Sequence, residues 1–257
     1  MSIVVCPTRV PCVLTHPPRE SIPIHISPIG RPARVSENIP KQRASLALLT
    51  VAELLALAPW FSTAAVAPQI QTEWTLSATG VAWLTIAVQL GFVVGTLGSG
   101  LLNLPDRMDA ARLFALSAGG TALTTAVFAV TTTGMVDGVL FRFLTGVFLA
   151  GVYPPGMKLA TTWTRQHRGL ALALIVGALT IGSASPHLVR ALLDVPWRHV
   201  VLVTAALALI AGVTILVGVR QGPFSAPAAR FNPRFVLHVF RARGTRLALL
   251  GYLGHQW

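Results

Sequence analysis

The sequence predicts an all-α membrane protein, a bundle of six transmembrane helices followed by the start of a seventh. Two observations carry this. Six long apolar segments run Leu46–Pro68, Ala78–Leu102, Arg112–Thr132, Met135–Met157, Arg168–Val189 and His199–Val219. Each has the ~20 residues that an α-helix needs to cross a hydrocarbon core of ~30 Å. The charges are scarce and sorted: 11% of the 257 residues are charged and 53% are hydrophobic, where soluble domains carry about 25% charged residues.

The sorting sets the orientation. With spans of alternating direction, the N-terminal tail and the second, fourth and sixth connections share one face. That face holds Arg31, Arg34, Lys41, Arg43, Arg107, Arg112, Lys158, Arg165, Arg168, Arg220, Arg230 and Arg234, and the opposite face holds Arg190 and Arg198. Lys and Arg accumulate on the cytoplasmic side. The expectation is a multi-pass protein of the cell (inner) membrane with its N-terminus in the cytoplasm. The net charge of +12 therefore reports topology and contact with the lipid bilayer rather than nucleic acid, for which a single basic patch would be needed.

Three regions follow along the chain. Residues 1–44 form a Pro-rich cytoplasmic tail, with eight of the 18 prolines and neither helical nor strand period, which reads as disordered. Its Cys6 and Cys12 lack the partners of a zinc site. Residues 45–220 form the bundle, with Ser77 placed to cap the second span, Asp137 the fourth, and Asp194 with Pro196 opening the sixth. Residues 221–257 form a polar, basic linker and then the run Leu247–Trp257. That run is too short to span a membrane, and the chain reads as cut off at the start of a seventh helix.

Spans one to three echo spans four to six. The second and fifth are rich in small residues, and the first and fourth each carry one ionisable residue about seven positions from their start, Glu53 and Arg142. A three-plus-three inverted repeat has this pattern. Glu53 and Arg142 are the charges clearly inside the hydrocarbon, where each costs a few kcal/mol and faces a bundle interior or a wet cavity. At 1.5 Å per residue their backbones differ in depth by about 10 Å, so a direct ion pair is not expected. Glu53 has two readings: a carboxyl that gains and loses a proton during transport, or a structural carboxyl bonded to a neighbouring helix. Arg142 also has two: a cavity guanidinium that attracts an anion, or a buried arginine tied to backbone carbonyls.

Gly91 and Gly95 share a face of the second span, where small residues let backbones approach. Gly177, Gly182 and Pro186 stand in the fifth span, and a proline there frees a carbonyl and permits a bend. Tight packing and sliding of one helix on another both use such faces. Trp60, Phe61, Gln69, Gln89, Tyr153 and His187 serve either as packing residues or as cavity lining. Motifs for a rhomboid-type serine, aquaporin pore, voltage sensor, zinc protease, P-loop or dinucleotide fold are absent from the sequence. No enzyme, cofactor or metal site is expected.

Four segments together resemble the major facilitator superfamily. Gly100-Leu-Leu-Asn-Leu-Pro-Asp106-Arg107-Met-Asp109-Ala-Ala-Arg112 is similar to its signature loop after the second span. Arg142-Phe-Leu-Thr-Gly146 is similar to its Arg–Gly motif in the fourth, Gly177 to Gly182 and Pro186 to its Gly-Pro helix in the fifth, and Trp197-Arg198 to the pair that opens the sixth. The resemblance covers about Leu46–Trp257. The ending Gly251-Tyr-Leu-Gly-His-Gln-Trp257 resembles the seventh-helix entry of relatives near the cyanate/nitrate-type porters.

Membership implies the N-terminal half of a fold with two six-helix bundles that works by alternating access, with a missing C-terminal bundle as partner. It implies secondary active transport of a small-molecule substrate, proton-coupled and with an anion as candidate solute. Glu53 and Arg142 would serve transport and proton coupling. Asp106, Arg107 and Arg112 would form the gating loop, and Gly91, Gly95, Gly146, Gly177, Gly182 and Pro186 the packing and hinge positions. Asp109 departs from the loop's usual second glycine, and its basic run is thinned to Arg112. The alternative is a truncated, non-transporting half-protein or an assembly or regulatory partner of a full-length transporter.

Overall fold

The computed structural model describes residues 39–192, 195–225 and 243–255; the tail before residue 39, the linker 226–242 and Asp194 lie outside them. The described residues form helices and connections only. In chain order the helices are α1 (Ile39–Ala56), α2 (Ser62–Ala65), α3 (Ala67–Glu73), α4 (Ala78–Leu101), α5 (Leu104–Arg107), α6 (Ala110–Thr131), α7 (Met135–Leu149), α8 (Tyr153–Thr162), α9 (Arg168–Leu192), α10 (Trp197–Gly218) and α11 (Arg243–His255). Five stretches among the described residues are long and apolar enough to cross a membrane: α4, α6, α7 with α8, α9 and α10. The first span runs through α1, α2 and α3 in pieces.

The first and fourth spans, expected as continuous helices, are both broken. Pro59 has no N–H to give the Leu55 carbonyl. Ala58 donates to Leu55 instead at 3.4 Å and Trp60 to Leu57 at 3.1 Å, a tightened turn that ends α1. The fourth span turns at residues 150–152, where Gly151 donates to Phe148 at 2.9 Å and Val152 to Leu149 at 3.0 Å. Pro154 and Pro155 then lie in the first turn of α8, where helix N–H groups have no partner to lose. The fifth span keeps its helix through Pro186. The Gly182 carbonyl that Pro186 cannot serve accepts from the Ser185 hydroxyl at 2.7 Å.

The packing exchanges under a swap of the two halves. α1 packs on α9 as α4 packs on α7; α1 packs on α10 as α6 packs on α7; α6 and α10 pack on each other. This is the contact pattern of an inverted repeat. Even the contact points correspond. Gly182 meets the carbonyl of Leu54, the residue after Glu53, and Gly91 meets the carbonyl of Phe143, the residue after Arg142.

Alanine and other small residues fill the core between α1, α6, α8, α9 and α10, around Phe114, Leu49, Leu159 and Ile215. The outer surface is apolar: Leu97, Leu116, Leu123, Val130 and Val217 are exposed. Such a surface belongs in lipid, where helices associate through packing rather than through exclusion of water.

Two helix starts were legible in part. The Ser77 hydroxyl accepts from Gly80 N–H at 3.2 Å, as expected of a cap. Asp137 is not the cap of α7, which is Gly134; it lies inside the first turn and accepts from the Thr133 N–H at 2.9 Å. Asp109, read from the sequence only as a departure from a motif glycine, caps α6 by accepting from Ala111 at 3.0 Å and Arg112 at 3.1 Å. Asp109→Ala is expected to lower stability by about 1 kcal/mol, read as an earlier thermal unfolding midpoint in detergent; an unchanged midpoint would remove the cap's role.

Candidate functional site: two buried ionisable groups on broken helices

The break in the first span positions the site. Turning the chain at Pro59 leaves carbonyls pointing sideways from the helix axis, and a buried carbonyl needs a donor. Arg142, from the middle of α7, supplies it. Its Nη2 donates to the Pro59 carbonyl at 3.0 Å and to the Trp60 carbonyl at 2.8 Å, and its Nη1 to the Ser62 hydroxyl at 3.2 Å. Ser62 in turn donates to the Pro59 carbonyl at 2.9 Å. The guanidinium also faces the Phe128 ring, 5.8 Å from its centroid. Arg142 is wholly buried, and its Nε finds no hydrogen-bond partner among the described residues. The geometry is that of an arginine tied to backbone carbonyls, joining the fourth span to the break in the first.

Glu53 lies three residues before the end of α1 and is also wholly buried. Neither carboxylate oxygen has a hydrogen-bond partner among the described residues. Its surroundings are the apolar cluster of α1, α6 and α8, with Gly156 of α8 directly against Oε2 and Phe114 of α6 alongside. No ion pair joins it to Arg142 among the described residues, which agrees with their difference in depth. Both terminal nitrogens of Arg142 are held in one network, whereas Glu53 has no such network among the described residues.

The other predicted residues separate. A β-carbon at Gly91 would overlap the Phe143 carbonyl, at Gly146 the Val88 carbonyl, and at Gly182 the Leu54 carbonyl. At Gly95 it would lie 2.8 Å from Ala150 Cβ. These four are close-approach positions. Gly177 is not: its side of α9 is exposed, with open space where a β-carbon would stand, because only one stripe of α9 meets α1. Pro186 is buried in α9.

At the basic end, Asp106 pairs with Lys158 at 2.7 Å, and Lys158 also donates to the Pro105 carbonyl. Arg107 and Arg112 are exposed. The loop turns at Asn103, whose φ of 52° is left-handed. A cleft of about 530 Å³ opens here, lined in part by Asp106, Arg107, Lys158, Arg168 and Phe224. Among the described residues no His, Cys, Asp and Glu side chains gather as metal ligands.

Residues 49–255, most of the chain, match the Major Facilitator Superfamily. The chain belongs to the major facilitator superfamily. That is a family of multi-pass membrane transporters, not of enzymes. Its fold is similar to the crystal structure of a bacterial homologue of the human lysosomal transporter Spinster, in an inward-facing, unoccupied conformation, with a TM-score of 0.60 and 15% identity. The similarity covers 76% of this chain and 47% of that one, so the chain spans about half of the transporter it resembles. No curated protein matches this facilitator chain in sequence.

Sequence reasoning missed three residues that organise this facilitator bundle. Lys158, read as a loop charge, is the partner of Asp106. Ser62, an ordinary small residue of the span, joins the Arg142 network. Glu73, at the end of α3, accepts from the Trp197 indole and from Arg198 Nη2 at 2.8 Å. Arg198 also donates to the Ala129 carbonyl at 2.6 Å and the Thr132 carbonyl at 3.2 Å. The Trp197-Arg198 pair thus clamps the ends of the first, third and sixth spans, above a cluster of Trp74, Phe128 and Trp197 rings. A carboxylate at the far end of the first span was the available signal.

The clamp makes a pH prediction. The Trp197 N–H, with Arg198 beside it, holds the Glu73 carboxyl below its ordinary range. A carboxyl lowered by folding contributes stability that is present above its unfolded pKa and lost as pH falls through the folded value. Glu73→Gln is therefore expected to melt earlier than the unsubstituted chain at neutral pH, with the difference closing as the pH is taken below the carboxylate range. A difference that persists in acid would place the stabilisation elsewhere.

Proposed function

We propose that the chain forms the first six-helix bundle of a secondary active transporter that moves a small solute with a proton, in the cell (inner) membrane and with its N-terminus in the cytoplasm. The observation that carries this is Glu53: a carboxyl inside a membrane helix, buried and without a hydrogen-bond donor among the described residues. Burying an unpaired charge is costly, and taking up a proton removes the charge. Such a group is suited to exist protonated in one stage of a cycle and ionised in another, when it is reached by water or a cation. Arg142 would be the electrostatic organiser. It is held at the helix break, has an Nε–H without a partner among the described residues, and favours an anionic solute. The Lys and Arg distribution supports the orientation, and the match to about half of a solved transporter supports a second six-helix bundle as the working partner.

The test is uptake of a panel of radiolabelled carboxylates and inorganic anions into vesicles carrying the chain together with a second six-helix bundle, with and without an imposed pH gradient. Uptake that follows the gradient and disappears in Glu53→Gln is expected. Gradient-independent uptake that survives Glu53→Gln would remove the coupling. Vesicles inert to every solute, with the chain co-purifying with a full-length transporter, would favour the alternative of a non-transporting assembly or regulatory partner.

A further inference from the structure

We propose that Gly156 is a positioning residue for Glu53: the missing side chain of Gly156 is the seat in which the Glu53 carboxyl rests. Gly156 stands in the first turn of α8, just after the break at residues 150–152 and the Pro154-Pro155 pair, and its N–H donates to the Val152 carbonyl at 3.0 Å. A β-carbon there would overlap Glu53 Oε2, lie 3.2 Å from Glu53 Cδ and 3.5 Å from a Phe114 ring carbon. The ring of Phe114 and the backbone of α8 thus close around the carboxyl from two sides. Both are fully packed, since Phe114 is wholly buried and Gly156 is buried. Among the described residues neither Glu53 carboxylate oxygen has a hydrogen-bond partner, so the shape of the seat holds it.

The seat joins the two broken spans. Glu53 is on α1, before the first break, and Gly156 is on α8, after the second. Any movement of α8 about residues 150–152 opens or closes the space that the carboxyl occupies. The state of the carboxyl and the position of α8 are then interdependent. This deepens the transport reading of Glu53 and rests on it for its consequence in transport, but the seat itself can be tested without transport.

The experiment uses the full chain in detergent and dicyclohexylcarbodiimide, an apolar reagent that attacks protonated carboxyls, with labelling at residue 53 followed by mass spectrometry at neutral pH. The unsubstituted chain is expected to label at Glu53. In Gly156→Ala the carboxyl must leave its apolar seat, and labelling should slow about ten-fold, the factor that about 1.4 kcal/mol gives. Gly119→Ala, at a helix position with open space, controls for an added methyl and should label as the unsubstituted chain does. Glu53→Asp withdraws the carboxyl by about 1.5 Å, one carbon–carbon bond, and in the Gly156→Ala background it should restore labelling at residue 53. Equal labelling of Gly156→Ala and the unsubstituted chain, no labelling of Glu53 at all, or failure of the aspartate to rescue would each overturn the proposal. If instead Glu53→Gln leaves gradient-driven uptake intact while the labelling results hold, the seat stands and the proton-coupling role falls.

Discussion

Arg142→Ala is expected to destabilise the bundle by about 3 kcal/mol, from buried acceptors left short of a donor and from the cavity that the lost side chain opens. The substitution takes the donors from the Pro59 and Trp60 carbonyls and from the Ser62 hydroxyl. The Pro59 carbonyl keeps its bond from the Ser62 hydroxyl, whereas the Trp60 carbonyl, in a part-buried place, loses its donor, and an unmet acceptor out of water costs its desolvation. It also leaves a hole beside Phe128. Arg142→Lys should recover little of the loss. An ammonium is a compact charge and cannot present two separate nitrogens to groups spaced along a turn, as the planar guanidinium does. The measurement is thermal unfolding in detergent, with size-exclusion profiles to confirm the starting state. If Arg142→Ala melts where the unsubstituted chain melts, the guanidinium does not hold the break. Ser62→Ala separates the parts: it removes one of the acceptors and its own bond to Pro59, and should have the smaller effect.

The second large effect is expected at the seam between the second and fourth spans. Gly91 and Gly146 each lie against a carbonyl of the facing helix, so the two backbones touch with no side chain between them. A single methyl at either position must push α4 and α7 apart or bend one of them. Overpacking of this kind costs about 1–3 kcal/mol, and here the obstacle is backbone, which cannot swing aside as a side chain would. Gly91→Ala and Gly146→Ala should therefore both lower the unfolding midpoint. Gly98→Ala and Gly100→Ala, on the same α4 but with open space around them, should leave it unchanged. Their contrast is the measurement: equal behaviour of all four would mean that helix propensity rather than contact governs the response.

These positions also show what can be read along the chain and what cannot. Glu53 and Arg142 stand out in sequence because transfer of a charge to hydrocarbon is so unfavourable that each must have a reason to be there. Their separation in depth follows from the rise of the helix, and the absence of an ion pair between them agrees with it. The signature loop was recognisable by its Asp106-Arg107 pair, yet its partner Lys158 was not. Asp106 and Lys158 are 52 positions apart, and nothing local brings them together. Gly177 and Gly182 illustrate the limit most clearly. They are alike in sequence and lie five residues apart, but five residues rotate the helix well away from its starting face. Gly182 meets Leu54, and Gly177 meets nothing among the described residues.

Hydropathy, charge sorting and cap chemistry are local properties, each decided by the exchange of a short segment between water and lipid or by one side chain near a helix end. They were enough by themselves to mark the apolar stretches and the two charges that had to be housed, but not the breaks in the first and fourth spans or the place of Asp137 inside its helix. Which carbonyls the prolines released, which donor reached them, and which glycine faced a neighbour's backbone were settled only when the helices packed. Those contacts join residues far apart in the chain, and their energies come from the fit of one surface on another, which no single segment contains.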